Sequence, residues 1–131
     1  MVMKNIGHVI FAVLAGYITD AALVIATELA LRVPGRHAAQ PLRYYVIDLI
    51  TQCLYTVIGG YIACAIAGPV HRAAMISLIC LGLLVGTASL TAAWHMEPHW
   101  YGIALLAVYA PCVWIGCSLR LRTKRLSSSQ L

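Results

Sequence analysis

Charge is the first thing this chain lacks. Nine Lys and Arg and only four Asp and Glu are spread over 131 residues, so 10% of positions are charged, where an ordinary soluble domain carries about 25%. That is too little polar material to coat a water-soluble globule of this size. A soluble basic surface is missing as well. The formal net charge of +5 comes from residues at the ends of apolar segments, with Arg120, Arg122, Lys124 and Arg125 closing the last one. No face is left to bind a phosphate backbone, and no nucleic-acid partner is expected. Catalytic signatures are absent too: the chain has neither Gly-x-Ser-x-Gly nor a Gly-rich loop of the phosphate-cradling type. None of Cys53, Cys64, Cys80, Cys112 and Cys117 stands in a Cys-x-x-Cys pair, which excludes the thioredoxin and zinc-ribbon spacings. All five fall in apolar segments, where free cysteine is expected to behave as a small hydrophobe.

What the chain has is oil. Hydrophobic residues make up 62% of it, and the mean hydropathy is +0.87. They form four runs, at about 6–31, 44–67, 73–94 and 100–119, each near the ~20 residues that a helix needs to cross a ~30 Å hydrocarbon core. The first run opens after Lys4 like a secretory signal, but it continues past signal length without a small-residue cleavage site. Between the first two runs, RVPGRHAAQPLR (Arg32 to Arg43) reads as a loop. Gly68–Pro69 ends the second run. Pro111 lies inside the fourth and should kink or loosen one turn, which membrane helices tolerate. Residues 120–131 read as a polar tail, disordered at LSSSQL. The expectation is one domain over 1–131, an all-α integral membrane four-helix bundle.

Four spans place both termini on one side. That side carries Lys4, Arg72 and the four basic residues of the tail, against Arg32, Arg36 and Arg43 on the other. Six to three puts the termini in the cytoplasm. Trp94, Trp100, Tyr101, Tyr44 and Tyr45 then form an aromatic belt at the outer interface. AVLAGY (Ala12 to Tyr17), GGYIACAIAG (Gly59 to Gly68) with its basic turn, and WYGIALLAVYAPCVWIGCSLR (Trp100 to Arg120) together resemble a set of small four-span bacterial membrane proteins without an assigned function. The resemblance implies a bacterial inner-membrane protein with both termini inside. It carries over no catalytic residue.

Small residues recur at helical spacing. Gly60, Cys64 and Gly68 step by four along the second run, Gly82 and Gly86 along the third, and Gly16 joins Ala12 and Asp20 on the first. Such spacing lets backbones approach closely in lipid, for packing within one bundle or against a partner or second copy.

Polar groups inside spans need a reason, because an acid near the bilayer centre costs roughly 2.5–3.5 kcal/mol on insertion scales. Asp20, Glu28, Asp48, Gln52 and Tyr55 all gather in the outer half. They read either as hydrogen-bonded or arginine-paired structural groups or as the lining of a functional pocket. Glu28 stands four residues before Arg32, a favourable helix pair. The stretch TAAWHMEPHWYG brings His95, Glu97 and His99 into the third turn. Three such ligands are a candidate metal site, but Pro98 breaks the helix that would align them, and a wet interfacial turn is the better reading. His8 and His71 near the cytoplasmic ends are weak candidates for haem ligands. No cofactor is required by any of this.

The leading expectation is an accessory or structural membrane protein, either a small subunit of a complex or a self-associating bundle, and not an enzyme. Its surroundings are the lipid bilayer and a membrane-protein partner or homo-oligomer. A dimeric proton-coupled transporter with Asp20 as the titrating group comes second, and an outer-face metal-dependent enzyme third.

Overall fold

The computed structural model describes residues 2–31 and 41–130, with every side chain among them except those of Val2, Glu28 and Leu31. The Glu28 carboxylate and its expected partner Arg32, together with Arg36, therefore lie outside the described residues. The described chain is all-α, without a strand: α1 (Val2–Leu31), α2 (Leu42–Ala67), α3 (His71–Ala92) and α4 (His99–Ser129), with a 3-10 turn at Gly68–Val70. Three helical stretches, Met3–Thr27, Leu42–Ala92 and His99–Ser129, are long and apolar enough to cross a membrane, the second comprising α2, the 3-10 turn and α3.

Local chemistry sets the helix ends. Pro41, extended at φ −64° and ψ 151°, precedes α2, and its carbonyl accepts from the Tyr44 amide at 2.9 Å. At the other end Gly68 takes φ +56°, a left-handed conformation that a side chain would resist. Pro69 follows it and cannot continue the helix. His71 Nδ1 lies 3.0 Å from the Gly68 carbonyl oxygen and ties the turn to the start of α3. An alanine Cβ at Gly68 would meet nothing within 4 Å. Gly68 thus belongs to the turn and not to the packing seam in which its spacing from Gly60 and Cys64 had put it. Within the helices, hydroxyls fold back on their own backbone, as Thr19 does to the Ala15 carbonyl at 2.7 Å and Thr87 to that of Leu83 at 2.7 Å. A polar side chain in an apolar helix is satisfied locally in this way.

Three helix pairings define the arrangement. Asp48 meets Tyr101, Gly60 meets Val113, and Cys64 meets Cys117. The partners are 53 positions apart each time, so α2 and α4 run parallel in constant register. Gly16 packs on Gly59 and Ala63, and Thr27 bonds Tyr55, so α1 is antiparallel to α2. Tyr109 reaches the Leu78 carbonyl, and Leu106 covers Gly86, so α3 is antiparallel to α4. The chain therefore alternates in direction, with residue 2, the 68–70 turn and residue 130 at one end. The α1–α2 and α2–α4 backbone contacts are extensive, α3 makes fewer with each of the other three, and the α1 and α4 backbones do not come close among the described residues.

Glycine decides which contacts are tight. A Cβ at Gly16 would stand 2.8 Å from the Gly59 carbonyl oxygen, and one at Gly60 would stand 2.8 Å from that of Val113. These are backbone-to-backbone approaches of the small-residue type. Gly82 and Gly86 act differently: the Tyr109 ring sits over the first and the Leu106 side chain over the second. They are sockets for side chains of α4. The core cluster nearer the terminal end is correspondingly small-grained, made of Ala12, Val13, Ala63, Ala67, Ala74, Leu78 and Val113.

Two expectations are corrected here. Cys64 and Cys117 are not free thiols: they form a disulfide with a Cα–Cα distance of 5.3 Å. The glycine contacts of Gly60 with Val113 and of Gly116 with Val57 bring α2 and α4 within its reach. Cys53, Cys80 and Cys112 are free. Nor is the tail irregular, since α4 continues to Ser129. Residues 119–126 are mostly Leu, Arg and Lys, good helix formers without Gly or Pro, and Ser128 and Ser129 bond the carbonyls of Arg125 and Leu126 at 2.9 and 3.0 Å.

Candidate functional site: a cavity between the helices

The halves of the helices remote from the termini line a cavity of about 270 Å³. Tyr17 and Val24 of α1, Gln52, Cys53 and Thr56 of α2, residues of α3 from Gly82 to Leu90, and residues of α4 from Tyr101 to Cys112 line it, with Ala93 and Glu97 contributed by the turn before α4. Along α4 the lining runs from Tyr101 to Cys112, roughly 16 Å at 1.5 Å per residue. The walls are mainly apolar, interrupted by hydroxyl, amide, thiol and carboxylate groups. Small-molecule sites have this character.

Asp20 lies beside this space. It falls between Tyr17 and Val24 on the stripe of α1 that lines the cavity, and the close approach of Gly16 to Gly59 presses it onto α2. Its Cβ would be 3.4 Å from a Cβ at Gly59. Its Oδ1 is buried and accepts no hydrogen bond, and the group is near enough to Tyr109 to interact with it electrostatically. A buried, unpartnered carboxylate oxygen in an apolar bundle is costly. Few buried polar groups in natural structures go unsatisfied, so one that does requires a reason.

The other candidate acid is committed. Asp48 accepts a hydrogen bond from the Tyr101 hydroxyl, and Tyr101 is only 4% exposed. Tyr101 is therefore an internal strut and not part of the interfacial belt in which the sequence placed it. The aromatic group is otherwise assembled: Tyr45 packs on Tyr101 and Trp100 with centroids at 5.1 and 6.1 Å, and Tyr44 on Tyr45 at 5.9 Å. Tyr55 shares a hydroxyl–hydroxyl bond with Thr27 and joins α2 to α1. Gln52 lines the cavity.

The histidine-bearing turn is spread outward. His95 and His99 are exposed and Glu97 is half-buried, while the His99 ring stacks edge-on against Trp94 with centroids 4.0 Å apart. No three His, Cys, Asp or Glu side chains among the described residues are grouped to share a metal ion. His8 faces outward on α1, and His71 is turned onto the Gly68 carbonyl.

Sequence reasoning missed Tyr17, Thr56, Tyr109 and the Cys53–Cys112 thiol pair as cavity lining. For Tyr17 a signal was present, since it precedes Asp20 by three residues and shares its face. The thiol pair and Tyr109 carried none, because their meeting depends on the α2–α4 register. No family model, curated protein or solved structure matches the chain.

Proposed function

We propose that this chain is a four-span protein of a bacterial inner membrane, with both termini in the cytoplasm, that serves as an accessory component of a membrane assembly. Large apolar side chains on every helix support the embedding. Phe11, Ile18, Ile25, Leu54, Ile58, Leu84, Ile103 and Trp114 all point outward, an apolar coat far beyond the patches a soluble monomer shows. The alternating helix directions and the six-to-three distribution of Lys and Arg support the orientation. The disulfide then lies in the cytoplasmic half, between two buried cysteines.

One observation carries the partner. The glycine seams are filled within the chain, but the outward face of α3 beyond Leu84 stays small. Thr87, Ala88, Thr91 and Ala92 are exposed there, over the last turns of α3. In lipid such a face invites another helix to approach. Size and composition of the particle released by a mild detergent test this. The expected result is a defined heavier species, reduced to the single chain by Ala88→Trp. A monomer that co-purifies with nothing sinks the accessory reading.

The unpartnered Oδ1 of Asp20 beside the cavity favours a second reading, a dimeric transporter that exchanges protons for a small cation of partly apolar character. Asp20→Asn should then abolish proton-coupled uptake in vesicles without affecting insertion. Unchanged uptake by that variant eliminates it.

A further inference from the structure

At the terminal end of the molecule lies a larger groove, of about 760 Å³, between the start of α3 and the last turns of α4. Its apolar wall is formed by Met75, Trp114 and Leu121, and its cationic rim by Arg72, Lys124 and Arg125. Trp114, Leu121, Arg125 and Ser128 follow one another at i, i+7, i+11 and i+14, a single stripe of α4. The groove therefore exists because α4 stays helical past its apolar segment. From Trp114 to Arg125 it extends roughly 16 Å along the helix axis, from hydrocarbon depth into the headgroup layer.

Nothing acidic lines this groove. Of the four acids in the chain, Asp48 and Glu97 belong to the opposite end, Asp20 abuts the cavity of the outer half, and Glu28 lies in the last turns of α1. Arg120, a neighbouring cation outside the groove lining, stacks over Tyr61 of α2 at 5.7 Å. Three cations without a counter-charge in the groove, above an apolar wall that ends in a tryptophan, complement a molecule with an anionic head and a hydrocarbon tail. A soluble anion would use the rim and leave the wall wet.

We infer that this groove binds one anionic phospholipid of the cytoplasmic leaflet, with the headgroup phosphate on Arg72, Lys124 and Arg125 and an acyl chain along Met75, Trp114 and Leu121. The inference rests on the membrane-embedded reading above. Arg72 belongs to α3, whereas the other two cations belong to α4, so a shared phosphate would also clamp the start of α3 to the end of α4.

Native mass spectrometry of the full chain in mixed micelles, titrated with phosphatidylglycerol or phosphatidylcholine of the same acyl chains, tests it. One phosphatidylglycerol should be retained in preference to phosphatidylcholine. Basic residues near an anionic lipid surface contribute roughly fivefold each to binding. Arg72→Gln/Lys124→Gln/Arg125→Gln should therefore lower that preference on the order of tenfold or more. Lys4→Gln/Arg43→Gln/Arg122→Gln removes the same charge away from the groove and should retain it. In a Trp94→Phe/Trp100→Phe background, where Trp114 is the remaining tryptophan, brominated phosphatidylglycerol should quench more than brominated phosphatidylcholine. Equal retention of the two lipids by the unmodified chain overturns the site and leaves the membrane reading standing. Failure to hold lipid of either kind overturns both. Equal losses in the two triple variants, or displacement of the lipid by inorganic phosphate, also overturn it, in favour of diffuse charge or a soluble anion.

Discussion

Replacing Gly60 tests the central contact of the fold, because the α2–α4 approach and the Cys64–Cys117 bond rest on the same backbone spacing. A Cβ at Gly60 would be 2.8 Å from the Val113 carbonyl oxygen and 3.1 Å from its Cα, against about 3.4 Å for an ordinary contact. An alanine therefore needs a separation of about 0.6 Å, of the overpacking kind that costs roughly 1–3 kcal/mol. The disulfide, one helical turn away, would widen from 5.3 Å between Cα atoms to about 5.9 Å, still inside the bridging limit of about 6.8 Å. Gly60→Ala should thus be destabilised but still oxidised. A leucine needs several ångströms, which exceeds the limit, and Gly60→Leu should lose the bond. The bond closes a separation of 53 residues, worth at most about 4 kcal/mol by chain entropy, and less where the helices persist in the unfolded ensemble. The assay is a count of reactive thiols with a mass-tagged maleimide after denaturation without reductant. Three are expected for the unmodified chain and for Gly60→Ala, and five for Gly60→Leu. Five in the unmodified chain, or three in Gly60→Leu, would refute the link between glycine approach and pairing.

Three further outcomes follow from single contacts. Tyr101→Phe removes the donor to Asp48 and strands a partly buried carboxylate, so resistance to unfolding by SDS should fall by about 1–3 kcal/mol. Asp48→Asn, which still offers an acceptor, should fall less, and the reverse order would refute the strut. Gly68→Ala has space for its methyl group but not the backbone freedom, and should cost about 1 kcal/mol in the same titration, whereas no loss would mean that the turn is not held left-handed. Truncation after Arg120 should lower the helical circular dichroism by the share of nine residues. An unchanged signal would mean that the extension of α4 is not helical in the membrane.

The sequence made the long apolar helices legible because the length and hydropathy of each run are visible along the chain. The runs ending at Ala67 and beginning near Ala73 came through because Gly68 and Pro69 act locally. So did the conclusion that Asp20 is costly where it stands. The tail was misjudged for a related reason: polarity marks the end of a span but not the end of a helix. Residues 120–126 are mostly Leu, Arg and Lys, which continue a helix already formed.

By itself, then, the sequence determined helix content, the turn at Gly68 and the stripes on which Gly16, Gly60 and Gly82 lie, since each depends on neighbours within a few residues. Only the tertiary structure decided what those stripes face. Gly16 and Gly60 meet backbone, Gly82 and Gly86 receive side chains, and Gly68 meets nothing. The same holds for the partners of Asp48 and Cys64, each found 53 positions away on a parallel helix. Periodicity records which residues share a face. It does not record which helix that face meets or in what register, because that choice depends on packing between residues far apart in the sequence.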